Sequence, residues 1–203
     1  MLFRALTVSR GSVVRVALFA ACLFASASLH GAVFSADAVK AAFLFRFASF
    51  VQWPADAPAN GAFVIGVTEA GPVADQLDRL VSGMTVRGQA VEIRRVTKPA
   101  ELDGVRILYV GPGSAVRTRT LRAQAAAMPV LLVTDRDDGF EGGGVINFID
   151  APRNVRFEIS LIAADRAHLT IDSALLAVAA RVERRIQGRL PCHSCDLYAG
   201  VTP

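Results

Sequence analysis

Residues Gly142–Ala177, GGGVINFIDAPRNVRFEISLIAADRAHLTIDSALLA, decide the fold. Val145, Asn147 and Ile149 alternate with Ile146, Phe148 and Asp150; after the break Ala151-Pro152-Arg153-Asn154 the alternation resumes as Val155-Arg156-Phe157-Glu158-Ile159. Two period-two runs around a proline-containing turn predict a β-hairpin over 145–160. In its second strand Val155, Phe157 and Ile159 share one face and Arg156 and Glu158 the other, so one side suits a core and the other water. Two helices are expected next, at 161–168 and 172–187, with Asp172 capping the second. The stretch carries no set of groups arranged for catalysis.

Upstream, apolar strands alternate with amphipathic helices. Phe63–Val67, Val105–Val110 and Val130–Val133 are continuous apolar runs of strand length, as expected for strands covered on both faces. Between them, Gly71-Pro72 opens a helix to about Val81, with proline in the first turn where its missing N–H is harmless. A second helix is expected from Ser114 to about Ala127. Thr85-Val86 and Val91–Val96 flank a hairpin-type turn at Arg87-Gly88-Gln89. The pattern predicts a single-domain α/β three-layer sandwich: a mixed, mostly parallel sheet with the C-terminal antiparallel hairpin, and helices on both faces.

At the N-terminal end of this region, a helix capped by Asp37 is expected to run to about Gln52, where Trp53-Pro54 stops it. Phe43, Phe47 and Phe50 form a stripe with Val39, and Phe45 lies off it. The stripe suits packing on a sheet; part of it, with Phe45 and Trp53, suits a partner protein or a second copy.

Residues 1–36 read as a signal peptide. Arg4, Arg10 and Arg15 precede the apolar run Val16–Ala27, and Ala25-Ser26-Ala27 places small residues at a cleavage site. The run is about a dozen residues, shorter than the roughly 20 that span a bilayer, so no membrane span is expected in the mature chain. A retained anchor and lipidation at Cys22 are the competing readings. Of 22 basic residues three are lost with this segment, against 18 acidic ones, leaving a net charge of +1. With no basic stripe left, nucleic acid is not an expected partner. The mature chain then divides into a domain over 37–187 and a tail over 188–203.

Several motifs invite chemistry. Gly111-Pro112-Gly113-Ser114 lies between a strand and a helix, but lacks the phosphate-loop lysine and the dinucleotide glycine pattern. Asp135-Arg-Asp137-Asp138-Gly139 is acidic, yet Gly139 stands where an EF-hand needs an oxygen ligand. Together Gly111, Gly113, Ser114, Asp135 and Asp137 are the candidate ligand-loop residues, at the carboxyl ends of strands. His168 has no recognisable triad partner, and neither a metal nor a cofactor is expected. Cys192-His193-Ser194-Cys195 lacks the histidine of a heme motif, since Asp196 follows. A local disulfide in an exported chain, a redox-sensing pair and a Cys/His metal half-site remain open.

Taken together these residues resemble the YfiR family of periplasmic regulators. The pieces that carry the resemblance are AVKAAFLFRFASFVQWP, FVIGV, VRILYVG, PVLLVTD with its glycine-rich loop, and GGVINFIDAPRNVRFEISLIAADRAHLTIDSALLAVA, in the family's order. The resemblance implies a non-enzymatic periplasmic protein that binds the sensing domain of an inner-membrane diguanylate cyclase and lowers cyclic-di-GMP output and biofilm formation. It also implies redox-responsive disulfides; this chain departs there, since residues 37–191 contain no cysteine. Phe43, Phe45, Phe47, Phe50 and Trp53 are the expected contacts with the partner or with a second copy in a homodimer. A periplasmic small-molecule sensor and a thiol redox protein using Cys192 and Cys195 are the alternatives.

Overall fold

The structure, a computed structural model, describes residues 35–55, 61–113, 115–149 and 154–184. It opens on helix α1, Ala36–Phe50, which is followed directly by the short strand β1, Val51–Gln52. The cap is Ser35 rather than the expected Asp37: its hydroxyl accepts the Ala38 N–H at 3.2 Å, and Asp37 falls in the first turn, where its charge suits the helix dipole. The helix also stops two residues earlier than expected, because Val51-Gln52 pairs antiparallel with β9, Thr170–Ile171.

Among the described residues the main sheet has eight strands, in the order β10 (Arg181–Glu183), β8 (Arg156–Ser160), β7 (Ile146–Ile149), β6 (Leu131–Thr134), β5 (Val105–Val110), β2 (Phe63–Thr68), β4 (Gln89–Arg95) and β3 (Thr85–Val86). The expected runs supply β2 (Phe63–Thr68), β5 (Val105–Val110) and β6 (Leu131–Thr134), which lie parallel. On their far side β4 (Gln89–Arg95) is parallel to β2 and antiparallel to β3 (Thr85–Val86). The β3–β4 turn has φ 52° at Arg87 and 81° at Gly88, the two positive φ values of a tight hairpin. Strand β7 (Ile146–Ile149) is parallel to β6 and antiparallel to β8 (Arg156–Ser160), with Phe148 opposite Phe157. This is the hairpin the opening stretch predicts, in a sheet that is otherwise mostly parallel.

Helices cover the sheet on both sides. One face packs against α1 and α2 (Gly71–Val81) through Leu44, Phe47, Val73, Leu77, Ile65, Ile107, Val133, Phe148 and Ile159. The other packs against α3 (Ala115–Ala125) and the 3-10 turn Pro99–Leu102 through Val64, Leu102, Leu108, Leu121 and Leu132. Continuous apolar strands are thus covered twice, which is why their sequences do not alternate.

The C-terminal helix departs from expectation. The predicted helix over 172–187 is two elements: α5 (Ser173–Val178), capped by Asp172 as anticipated, and strand β10 (Arg181–Glu183). The preceding α4 is also shorter than expected, Leu161–Arg166. Ala179 is extended at φ −67°, ψ 142°, the Ala180 N–H donates to the Phe157 carbonyl at 2.8 Å, and Arg181 pairs with Glu158 at 2.7 Å. The backbone groups along β8 therefore gain a partner strand, an arrangement that outweighs local helix propensity.

Candidate functional site

The carboxyl ends of β2, β5 and β6 form one polar crest. Strand order reverses between β2 and β5, the place where open α/β sheets leave a ligand crevice. Here Glu69 narrows that crevice against the β5–α3 turn, and a cavity of about 320 Å³ lined by Thr68, Glu69, Arg95, Thr97 and Arg117 remains beside it. Glu69, at φ 51°, lies so close to the β5–α3 turn that a Cβ on Gly111 would overlap the Glu69 carbonyl and one on Gly113 its side chain. The Glu69 carboxylate is in turn held by Arg117 at 2.9 Å. Gly111 therefore serves close packing, and Gly113 turns its carbonyl toward Arg136, whose Nη1 donates to it.

One strand over, the crest opens into a groove of about 420 Å³ lined by Lys40, Pro112, Gly113 and Asp135–Asp138. The loop bearing Gly111 and Gly113 and the loop bearing Asp135 and Asp137 are adjacent there. Ser114 falls outside the described residues. Asp135 receives Lys40 Nζ at 2.6 Å and the Tyr109 hydroxyl at 2.9 Å, and both members of the Lys40–Asp135 pair keep only 10% of their side-chain surface exposed. The pair ties the first turns of α1 to the end of β6. Asp138 is shared by Arg136 and Arg122, at 2.7 and 3.2 Å. Burial acts to raise the Asp138 carboxyl, but hydrogen bonds from Arg136 and Arg122 outweigh it and hold the group below its ordinary pKa. Among the described residues no three His, Cys, Asp or Glu side chains are placed to hold a metal ion.

Arg122 is a residue that sequence reasoning passes over, because Thr118-Arg-Thr-Leu-Arg122 reads as a solvated helix face. In the fold it is 4% exposed, on the same side of α3 as Thr118, Leu121 and Ala125. The available signal was the pairing of that helix phase with Gly142-Gly143-Gly144, a run whose missing side chains make room for an arginine: a Cβ on Gly142 would overlap the guanidinium.

The aromatic helix divides into two roles. Its buried face is Lys40, Ala41, Leu44, Phe47 and Ala48, so the core stripe is centred on Leu44 and Phe47 rather than on the Val39-Phe43-Phe50 line. Phe47 has no exposed surface; its ring lies 5.2 Å from Phe157, 6.0 Å from Phe148 and 5.9 Å from Phe43. That burial corrects its assignment as a partner contact, since a fully covered ring offers nothing to a second protein. Phe43, 5.3 Å from Phe157, is half-buried against the same cluster. Phe45, Phe50 and Trp53 are also only partly covered, and Ala42, Arg46 and Ser49 are exposed. Trp53 packs edge-on to Phe63 at 5.5 Å, donates its Nε1–H to the Arg106 carbonyl at 3.3 Å and lies under the Arg87 guanidinium at 5.7 Å. Burial, then the neighbouring Arg87 charge, lowers the Arg106 pKa from its ordinary value.

Cys192, Cys195, the proposed signal segment and the tail lie outside the described residues. Among the described residues no helix is long and apolar enough to cross a membrane. A comparison with curated proteins found no match. A family model described as YfiR/HmsC-like matches residues 37–180, from the first turn of α1 to the start of β10, and the chain belongs to that family.

Proposed function

We propose that this chain is a periplasmic repressor that binds the sensing domain of an inner-membrane diguanylate cyclase, holds it inactive, and so lowers cyclic-di-GMP and biofilm formation. The observation that carries the reading is the family match across the whole α/β domain, since the YfiR/HmsC-like family is one of periplasmic regulators. Function here is protein contact rather than catalysis: the charged crest groups pair with one another, and His168 is exposed on the turn after α4. An export signal within residues 1–36, cut upstream of the Ser35 cap, precedes the regulatory domain, which runs to residue 187, and a tail over residues 188–203 that carries Cys192 and Cys195.

The contact surface is the solvent side of α1. Ala42, Arg46 and Ser49 run along it, with Phe45 on one shoulder, Phe50 on the other and Trp53 beyond the helix end. The aromatic shoulders supply area for a partner helix or a second copy of the chain to bury, and Arg46 between Ala42 and Ser49 places a charge at the centre of that face. The test is replacement of Phe45 or Trp53 by alanine in the intact exported protein. Repression should be lost while secretion and folding persist; full repression by both variants would remove this surface from the account.

A second reading, small-molecule sensing, is favoured by the polar groove between Gly113 and Asp135–Asp138. A metabolite that raises the melting temperature of wild-type protein but not of an Asp137→Asn variant would support it. Equal stabilisation of both would place the ligand elsewhere.

A further inference from the structure

The end of α1 meets the β3–β4 hairpin in a corner that gathers positive charge. Arg87, exposed in the hairpin turn, uses one donor on α1: its Nη2 donates to the Val51 carbonyl at 2.7 Å and caps a helix with no basic residue in its last turn. The same guanidinium lies over the Trp53 ring, 5.7 Å from its centroid. No carboxylate pairs with it among the described residues. Arg46, at the centre of the neighbouring α1 face, is likewise exposed and without an ion pair among the described residues.

The backbone turns a second arginine toward this corner. Val64 pairs with Val105 but Ile65 pairs with Ile107, which leaves Arg106 as one extra residue in β5, a bulge uncommon between parallel strands and of the kind that re-aims a side chain. Regular alternation would put Arg106 with Leu108 on the α3 side of the sheet. Instead Val105 joins Leu108 in that core, and Arg106 comes near enough to Arg87 that, after burial, the Arg87 charge is what lowers its pKa. The Arg106 carbonyl accepts the Trp53 Nε1–H at 3.3 Å, so both arginine residues fix the indole. Two guanidinium groups held together repel, and a carboxylate brought by a partner would offset that repulsion. Arginine beside partly covered aromatic rings, here Trp53 and Phe50, is also the composition of binding hot spots.

We propose that the Trp53–Arg87–Arg106 corner docks an aspartate or glutamate side chain of the partner protein, received by the two guanidinium groups with Trp53 beneath Arg87. This docking rests on the repressor reading and specifies the chemistry that the partner surface presents next to the aromatic face of α1.

The test uses the intact exported chain in a strain deleted for this gene, with cellular cyclic-di-GMP and the periplasmic level of each variant measured together. Arg87→Glu should return cyclic-di-GMP to the deletion level, whereas Arg87→Lys, which keeps the charge but not the planar fork, should retain a larger share of repression. Arg106→Gln removes the second charge without touching the Val51 cap or the indole contact, which uses the Arg106 backbone. It should repress only in part, and it decides the matter if Arg87→Glu fails to accumulate. Full repression by Arg87→Glu or by Arg106→Gln at wild-type abundance would overturn the proposal. Equal loss in Arg87→Lys and Arg87→Glu would also overturn it, since Arg87 would then serve packing alone. So would a wild-type dimer that Arg87→Glu dissociates in analytical ultracentrifugation, which gives the corner to a second copy. If Phe45→Ala and Trp53→Ala lose repression while Arg87→Glu keeps it, the repressor reading stands and the docking chemistry alone fails; no rise in cyclic-di-GMP on deletion removes both.

Discussion

Replacing Phe47 with alanine separates core packing from docking on α1. The side chain is fully buried, in contact distance of three other phenyl rings, and truncation removes both its transfer free energy and those ring contacts. A residual void of roughly 60–100 Å³ at ~24 cal/mol per Å³ adds about 1.5–2.4 kcal/mol to the transfer loss, so the total falls in the ~3–5 kcal/mol range of buried Phe-to-Ala changes. For a domain of this size that is a fall in melting temperature of about 6–20 °C. Urea unfolding followed by circular dichroism would read it as a lower midpoint at constant slope. Phe45→Ala provides the contrast: half-buried at the shoulder of the same helix, it should lose no more than about 1–2 kcal/mol. A destabilisation below about 1 kcal/mol for Phe47→Ala, or equal losses for the two variants, would refute the division of α1 into a core side and a contact side.

Three further outcomes follow from the charges. Lys40→Met should destabilise by about 3 kcal/mol in thermal unfolding, because among the described residues the Tyr109 hydroxyl is the side-chain donor left to Asp135 once its buried cation is gone, and Lys40→Met with Asp135→Asn should recover part of that loss. Arg181→Ala breaks a pair whose arginine is largely exposed, so the urea midpoint should stay close to that of the wild type despite the 2.7 Å geometry. Asp138 has a depressed pKa in the folded protein; its contribution is therefore present above the unfolded carboxyl value near ~4 and is lost as pH falls through the lower folded value. In acid titrations Asp138→Asn should start less stable than wild type at neutral pH and converge with it as the carboxyl protonates, whereas a constant gap down to acid unfolding would contradict that linkage.

The parts of the fold legible in the sequence are those where burial and local pattern agree. Strands β2 and β5 appear as continuous apolar runs because helices cover them twice, and the β7–β8 hairpin appears as alternation because Phe157 and Ile159 point to the core while Glu158 meets Asn147 and Arg181 on the other side. The segment 179–183 was not legible. Ala179-Ala180-Arg181-Val182-Glu183 contains no helix-stopping residue, and its strand form depends on the Phe157 carbonyl and Glu158, supplied by a strand more than 20 residues earlier. The candidate site shows the same division. That the loops after β5 and β6 meet follows from parallel strand order, but the close approach of Glu69 to Gly111 and Gly113 and the burial of Arg122 arise from packing between elements that no local pattern encodes.

The central claim, repression through protein contact, is tested most directly by cellular cyclic-di-GMP in a strain deleted for this gene and complemented with wild-type, Phe45→Ala or Trp53→Ala protein, with periplasmic levels of each measured alongside. The account predicts that cyclic-di-GMP rises on deletion, returns to its starting level with the wild-type protein, and stays high with the two variants at equal abundance. No rise on deletion would contradict the claim.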